Sequence, residues 1–151
     1  MHQDDLGIQL GLGYAAFVDW LNAEMTTAGF DDLGPTYGYM FRALADGPAT
    51  LSQLAAGLHM TTQGAAKILT EMETRGYVER RAHPTDARAR MVELTSRGRR
   101  ALRSARALHA RYERGLADRI GEDAVAALRR ALDAMLEIGA VDPASRLLRP
   151  I

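Results

Sequence analysis

The polar side chains best suited to chemistry lie in two short stretches, residues 61–67 and 86–90. The first stretch carries Thr61, Thr62, Gln63 and Lys67. A glutamine can bond to the N6 and N7 atoms of adenine, and a lysine can reach guanine or a phosphate. The second stretch carries Asp86, Arg88 and Arg90. A carboxylate two residues before an arginine can brace its guanidinium, which then suits a narrow, electronegative minor groove. Both stretches therefore predict contact with duplex DNA.

The charge along the chain is polarised although its total is zero. The sequence has 19 basic and 19 acidic residues, but residues 1–50 have seven acids against Arg42 alone. Residues 75–106 hold ten arginines against three acids, a local balance of +7. Contact with phosphates requires such a local basic block, whatever the total charge. Simpler interpretations stay open: a solvated basic helix face, a polar helix surface at 61–67, and a surface ion pair between Asp86 and Arg88.

The pattern around the first stretch predicts two short helices joined by a tight turn. Thr50 and Gln53 have the spacing of a capping box, in which each side chain bonds the other residue's backbone N–H at a helix start. The inward residues of this helix are Leu51, Leu54, Ala55 and Leu58. A turn through residues 57–60 leads to a helix that Thr61 caps and that ends at Gly76. Its buried face comprises Ala65, Ile68, Leu69 and Met72. A second helix of this size fits the major groove.

Two runs with alternating side chains follow, residues 77–81 and 91–95. Alternation of this kind predicts strands. Between them lies the polar, proline-containing stretch AHPTDARAR, which suits the loop of a β-hairpin. Two helices with a tight turn, followed at once by a β-hairpin, form a winged helix-turn-helix. Asp86, Arg88 and Arg90 then lie near the tip of the wing.

Further helices are predicted on both sides of this unit. Apolar residues recur at helical spacing over residues 6–29, and a second helix runs from Pro35 to the Gly47-Pro48 pair. After the hairpin, one long apolar stripe covers residues 102–120 and another follows Gly121. The order is four helices, two strands and two helices. The predicted fold class is mainly α with a small β-hairpin wing.

Composition and motifs exclude several functions. The absence of cysteine excludes disulfides, thiolate metal sites and a thiol redox switch. The four histidines lie in different predicted elements, and neither an HExxH spacing, a Gly-rich phosphate loop nor a nucleophile elbow occurs, so we expect no enzyme, metal or cofactor. The N-terminus does not have the form of a signal peptide, and no apolar stretch approaches the roughly 20 residues of a membrane helix. We therefore expect a cytoplasmic protein without a membrane partner.

The stretch from residue 76 to 102, GYVERRAHPTDARARMVELTSRGRRAL, resembles the MarR family of bacterial transcription regulators. The family's mark is Asp-x-Arg in the wing, then Leu-Thr, then a glycine that opens the next helix. Here these are Asp86-Ala87-Arg88, Leu94-Thr95 and Gly98. The upstream segments LGPTYGYMFRAL and TLSQLAAGLHMTTQGAAKILTEMETRGYVER also match. The resemblance covers about residues 30–103 by motif and the rest by helix order.

The resemblance implies a sequence-specific, DNA-binding transcription regulator that acts as a homodimer. The family's first and last helices interleave in the dimer, and its recognition helix corresponds to residues 61–75. The chain is then one MarR-like domain, residues 1–151, with a winged-helix DNA-binding part at about 34–101, dimerisation helices at about 6–29 and 102–139, and a tail at 140–151. The expected partner is a pseudo-palindromic operator in double-stranded DNA, where the protein represses nearby genes.

Many members of the family also bind a small aromatic or anionic molecule, and release DNA as a result. The residues expected to line such a site are Trp20, Tyr37, Met40, His109 and Tyr112. Methionine and aromatic residues at helical spacing are more often core or interface residues, and this interpretation stays open. A ligand-independent architectural or protein-binding winged-helix protein is the alternative function, because a fold alone does not fix a function.

Overall fold

The computed structural model describes residues 5–139, which form six helices and a three-stranded sheet. In chain order the elements are α1 (Leu6–Thr27), α2 (Tyr37–Ala43), β1 (Ala49–Thr50), α3 (Leu51–Gly57), α4 (Thr62–Thr74), β2 (Val78–Ala82), β3 (Arg90–Leu94), α5 (Ser96–Ile120) and α6 (Glu122–Ile138). The predicted fold class, mainly α with a small wing, is confirmed. The predicted tail, residues 140–151, lies outside the described residues.

Side-chain caps fix where the helices of the central unit begin. The capping box of α3 is confirmed: the Gln53 N–H donates to the Thr50 hydroxyl at 3.2 Å, and the Thr50 N–H donates to the Gln53 amide oxygen at 2.8 Å. Thr61 caps α4 by accepting from the Gly64 N–H at 3.0 Å. Each cap satisfies backbone N–H groups that a first helical turn leaves without a partner.

The sheet contains a strand that the sequence patterns did not predict. The strand order is β1-β3-β2, and both pairings are antiparallel. In the missed strand β1, Ala49 pairs with Val92 and Thr50 pairs with Met91. A strand of two residues is too short to produce an alternating pattern. The hairpin strands themselves are each displaced by one residue from prediction, β2 toward the C-terminus and β3 toward the N-terminus.

Two helices have bounds different from those predicted. Helix α2 ends at Ala43, because the chain then continues in turns with Ala45 N–H bonded to the Arg42 carbonyl and Gly47 N–H bonded to the Leu44 carbonyl. Gly47 has φ +148°, which no α-helix contains. Helix α5 begins at Ser96, whereas the sequence placed the boundary between the winged helix and the second dimerisation segment at about residue 101. A single helix therefore crosses the predicted boundary. The division into parts stays a prediction.

The hydrophobic core lies in the winged helix. Its largest fully buried side chains are Tyr37, Met40, Leu69, Met72, Tyr77, Val78 and Val92. The predicted inward face of α4 is correct for Ala65, Leu69 and Met72, whereas Ile68 is only partly buried. By contrast, α1 buries only Met25 and α6 buries only Val125. The two outer helices therefore leave most of their apolar residues exposed in the single chain.

Candidate nucleic-acid interface

The start of α4 presents a polar face to solvent. The turn from α3 contains His59 in the left-handed region, with φ 51°, and the Met60 N–H bonds to the Ala55 carbonyl at 3.0 Å. This turn places Thr61 at the N-cap of α4, where its hydroxyl accepts a hydrogen bond from the Gly64 N–H. The side chain therefore has a structural role beside any contact with a ligand.

All four predicted residues of this stretch are exposed, and three of them lie within α4 itself. Thr62, Gln63 and Lys67 are exposed, while the opposite face is anchored by the core. Gln63 and Lys67 are four residues apart, which places them one above the other on the same helical face. An amide and an ammonium group in this arrangement can bond together to base edges or phosphates.

The wing loop, residues 83–89, is organised by hydrogen bonds around His83. Its N–H donates to the Ala89 carbonyl at 3.3 Å, and the Ala89 N–H donates to the Asp86 carbonyl at 3.1 Å. The imidazole Nδ1 accepts from the backbone N–H groups of Thr85, at 3.2 Å, and Asp86, at 3.1 Å. A backbone N–H group can only donate, so Nδ1 is the acceptor in both hydrogen bonds. Sequence reasoning missed this role of His83.

The expected brace between Asp86 and the Arg88 guanidinium is corrected by the structure. The Asp86 carboxylate accepts from the backbone N–H of Arg88, with N···Oδ1 2.9 Å. An aspartate side chain is short enough to reach the amide two residues onward, as in an Asx turn. The carboxylate thus fixes the backbone of the loop. The side chains of Arg88 and Arg90 are exposed.

Part of the basic block serves internal contacts. Arg81 bonds Glu79 at 2.9 Å and Glu93 at 2.5 Å, and Arg80 contacts Glu73 at 3.5 Å. The hydrogen bond from Arg81 lowers the pKa of Glu79. The local charge of +7 therefore overstates the number of arginines available to phosphates.

A polar cluster that the sequence did not reveal joins Asp32, Tyr77 and Arg97 near the C-terminal end of α4. Asp32, between α1 and α2, receives the Arg97 Nη2 on both carboxylate oxygens, at 3.0 and 3.1 Å. The Tyr77 hydroxyl donates to the same carboxylate in a very short contact. Burial, together with this bond, raises the pKa of Tyr77 to about 12. The partners are up to 65 residues apart in the chain, so no local pattern could have indicated them.

The five residues expected to line an effector site fall into two groups. Trp20 on α1 and His109 and Tyr112 on α5 lie where these two helices pack together. The ring centroids of Trp20 and Tyr112 are 5.0 Å apart, and Phe17 packs edge-on against His109 at 5.1 Å. Burial, with a smaller contribution from Arg42, lowers the pKa of His109.

Tyr37 and Met40 belong instead to the core of the winged helix, with exposures of 1% and 0%. The Tyr37 ring packs against Tyr77 at 5.9 Å. Its hydroxyl is buried and has no hydrogen-bond partner among residues 5–139. The two groups have different surroundings, and their joint role in a ligand site stays a prediction.

An open cleft of about 300 Å³ lies beside the first half of α5. Arginines and leucines line it together, among them Arg99, Arg103, Arg106, Leu44, Leu94 and Leu102. The acids Asp46 and Glu93 lie in the same lining. A lining that contains both guanidinium groups and leucine side chains could hold a small anion with an apolar body. No pattern in the sequence indicated this cleft.

Metal-binding clusters and membrane-spanning helices are both absent from the described part of the chain. Within residues 5–139, no cluster of three or more histidine, aspartate or glutamate side chains could hold a metal ion. None of the helices there combines the length and hydropathy of a membrane span.

Comparison with known proteins identifies relatives of this winged helix. Residues 31–89 match the model of the MarR family. The chain is 26% identical over 100 residues to the exopolysaccharide II synthesis transcriptional activator ExpG of Rhizobium meliloti, an alignment that covers 66% of this chain and 52% of that protein. The match therefore spans about half the length of this curated relative.

Solved structures with the same fold include two that contain DNA. A mutant of MarR from E. coli complexed with operator DNA has a TM-score of 0.68 at 21% identity, covering 87% of this chain and 93% of that one. A mutant of S. aureus MepR bound to an oligodeoxyribonucleotide has a TM-score of 0.64 at 15% identity, covering 89% and 98%. At these identities the likeness establishes the fold.

Proposed function

We propose that this chain, which belongs to the MarR family through its winged helix, is a sequence-specific DNA-binding regulator of transcription that acts as a homodimer. The observation that carries the proposal is the exposed pair Gln63 and Lys67, one turn apart on α4, combined with the exposed Arg88 and Arg90 of the wing. The relatives that contain operator DNA or an oligodeoxyribonucleotide have this fold. The relatives named above are bacterial, and the chromosome of a bacterium lies in the cytoplasm, so we propose a cytoplasmic location for this protein.

We assign each side chain a role in DNA binding according to its position. Gln63, on the exposed face of a helix sized for the major groove, reads adenine through its amide. Lys67 contacts guanine or a neighbouring phosphate. Thr61 and Thr62, at the start of the helix, contact the sugar-phosphate backbone of the DNA. Arg88 enters the flanking minor groove, whose potential attracts a guanidinium. These roles make α4 the source of specificity and the wing a source of affinity.

The exposed apolar side chains of the outer helices support a homodimer. They are Leu6, Ile8, Leu12 and Tyr14 on α1, Ile120 at the end of α5, and Leu128, Leu132, Met135 and Ile138 on α6. Monomeric proteins rarely leave so many large apolar residues together in water. Two copies that bury these faces against each other would present their α4 helices to successive major grooves, about 34–36 Å apart. The expected operator is therefore pseudo-palindromic.

The dimer is tested by one substitution on each side of α6. We expect Leu132→Glu to give a monomer in sedimentation equilibrium, because it puts a charge into the apolar stripe. Arg130→Glu is the matched control, since residue 130 lies on the opposite side of the helix from 128 and 132. A wild-type protein that sediments as a monomer would refute the homodimer.

We further propose that the dimer represses nearby genes and is released by a small aromatic or anionic effector. A bound dimer on a promoter excludes RNA polymerase, although the R. meliloti relative is an activator. The cleft beside α5 offers arginines for a carboxylate and leucines for an apolar body. The buried Tyr37 hydroxyl offers a second place, since it has no partner among residues 5–139. An effector would act by favouring a dimer whose helix spacing no longer fits the operator.

Competition experiments distinguish the two effector locations. Benzoate and its ring-substituted derivatives would be titrated into the protein bound to a fluorescent operator duplex. Release that is weakened by Arg103→Ala supports the cleft, and release weakened by Tyr37→Phe supports the core site. A reporter gene under the chain's own upstream promoter tests the sign of regulation, with repression as the expected result.

DNA recognition is tested with the intergenic DNA beside the protein's own gene. Footprinting would find the protected sequence, and anisotropy titrations at 150 mM salt would compare it with a scrambled duplex of equal length. We expect at least about 10³-fold tighter binding to the protected sequence. Gln63→Ala should reduce this ratio, while Lys67→Ala tests for a contact to guanine or phosphate.

The alternative function, an architectural or protein-binding winged helix, makes a different prediction. An architectural binder depends on arginine number and salt, and has equal affinity for both duplexes. That outcome would refute sequence-specific regulation.

A further inference from the structure

The Arg97 side chain connects the end of the recognition helix to two other elements. Its Nη2 contacts the Asp32 carboxylate at 3.0 and 3.1 Å, in the connection between α1 and α2. Its Nη1 donates to the Arg75 carbonyl, at the C-cap of α4, at 2.9 Å. Because Arg97 itself lies in the first turn of α5, one guanidinium joins three parts of the chain.

Additional contacts hold this guanidinium in its orientation. Its carbon lies 4.5 Å from the centroid of the Tyr77 ring, and the Tyr77 hydroxyl bonds the same Asp32 carboxylate. Arg75 in turn donates from Nη1 to the Asp32 backbone carbonyl at 2.7 Å. A planar guanidinium that is both stacked and bonded through two nitrogens cannot be replaced by a lysine without losing one of the contacts.

The cluster holds the C-terminal end of α4, whereas the residues proposed to read DNA lie in its N-terminal half. Helix α4 has 13 residues, so it is roughly 20 Å long. A tilt of about 10° at the held end would move Gln63 by about 3 Å, which is as long as a hydrogen bond, and Lys67 by about 2 Å. The direction of α4 relative to α5 therefore decides where Gln63 and Lys67 meet the groove.

We infer that Arg97, through Asp32 and the Arg75 carbonyl, is a positioning residue that sets the direction of the recognition helix relative to α5. In the homodimer, this direction sets the spacing between the two recognition helices. This consequence for DNA rests on the proposed function, but the helix direction itself does not. Arg97 contacts no base in this proposal.

The helix direction can be measured without DNA, because the chain has no cysteine of its own. Spin labels on Gln63→Cys in α4 and Ala110→Cys in α5, both exposed positions, report one distance within the chain. Dilution with excess unlabelled protein restricts the signal to pairs within one chain. We expect Arg97→Gln and Asp32→Asn to shift or broaden the distance distribution, and Arg97→Lys to do so less.

Arg100→Gln is the matched control, since it removes an exposed arginine three residues along the same helix. Distributions for Arg97→Gln and Asp32→Asn that equal those of wild type and the control would overturn the inference. Arg97→Lys retains the charge and most of the stem, so it keeps the test valid if Arg97→Gln does not fold.

DNA titrations then test the consequence for spacing. A single half-site requires one recognition helix, and a complete operator requires two at the correct separation. We expect Arg97→Lys to lose at least about tenfold in affinity for the complete operator but less than threefold for the half-site. Equal losses on both duplexes would indicate only a loss of stability and would overturn the inference. If wild type itself does not prefer the operator to a scrambled duplex, the proposed function fails, while the spin-label result still decides the inference.

Discussion

Gly98 lies so close to the backbone of Tyr77 that a β-carbon at residue 98 would be 2.1 Å from the Tyr77 carbonyl oxygen. That oxygen also accepts the Thr95 N–H at 3.0 Å, and the Thr95 hydroxyl caps α5 by accepting from the Gly98 N–H at 3.1 Å. The first turn of α5 thus packs directly on the residue that precedes β2. The glycine of the family motif is required here by a close approach of two backbones.

Gly98→Ala should therefore destabilise the protein. The backbone must move to admit the methyl group, and overpacking of this kind costs about 1–3 kcal/mol or more. Urea unfolding followed by circular dichroism measures the free energy. The control is Gly115→Ala, inside the same helix and with no atom within 4 Å of the added carbon. It should stabilise by about 0.5–1 kcal/mol. Equal free energies for the two variants would contradict the close packing.

Thr61 should matter for stability through its capping hydroxyl. Thr61→Ala removes the acceptor for the Gly64 N–H and should lower the free energy of unfolding by about 1 kcal/mol. Thr61→Ser keeps the hydroxyl and should retain most of that stability. Thr62→Ala, at the adjacent exposed position, is the control and should have little effect. If the serine variant were as unstable as the alanine variant, the cap would not be the cause.

Local signals in the sequence predicted the local parts of this fold. The capping box at Thr50 and Gln53, the apolar face of α4 and the alternation of the hairpin all depend on residues within a few positions of one another. Each was found close to its predicted place. The strand β1 was missed because two residues have no period, and its partner β3 lies about 40 residues away.

The candidate site was predictable where it depends on exposure and not where it depends on distant contacts. A polar helix face is visible in the sequence, since its apolar counterpart has a regular spacing. The Asp32–Arg97 pair is not visible, because an aspartate in a loop and an arginine in a basic block have no pattern in common. The roles of His83 and Asp86 in the wing depend on the loop backbone, which side-chain types alone do not fix.

Acidification should destabilise the protein through His109. Burial lowers the pKa of His109 in the folded state, so the unfolded chain binds the proton more readily. The contribution of His109 to stability is therefore fully present above the unfolded pKa of about 6.5, and it is lost as the pH falls below that value. Because the ring is partly solvated, the loss is on the order of a few tenths of a kcal/mol. Thermal unfolding at pH 7.5 and 5.5 measures it. The difference between the two pH values should be smaller in His109→Gln, and an unchanged difference would rule out this histidine as the source.

Arg88 should contribute to DNA binding without contributing to assembly. Its side chain is exposed on the wing, so Arg88→Ala should weaken operator binding by at least about 1 kcal/mol and leave the dimer intact. Anisotropy titrations at matched salt measure the affinity, and sedimentation measures the assembly. Arg130→Ala removes the same charge from an exposed position on α6 and serves as control. Unchanged affinity in Arg88→Ala would refute the placement of the wing against DNA.

Asp86 should act on Arg88 through the backbone and not through charge. Its carboxylate accepts from the Arg88 N–H, and an asparagine side-chain oxygen can accept the same bond. Asp86→Asn should therefore keep at least the wild-type affinity for the operator, since it also removes a negative charge next to phosphates. Asp86→Ala loses the bond, which should leave the loop less ordered and the affinity lower than that of Asp86→Asn. If both variants lost affinity equally, the carboxylate charge would be the essential feature, and an ionic brace on the guanidinium would replace the backbone bond as the explanation.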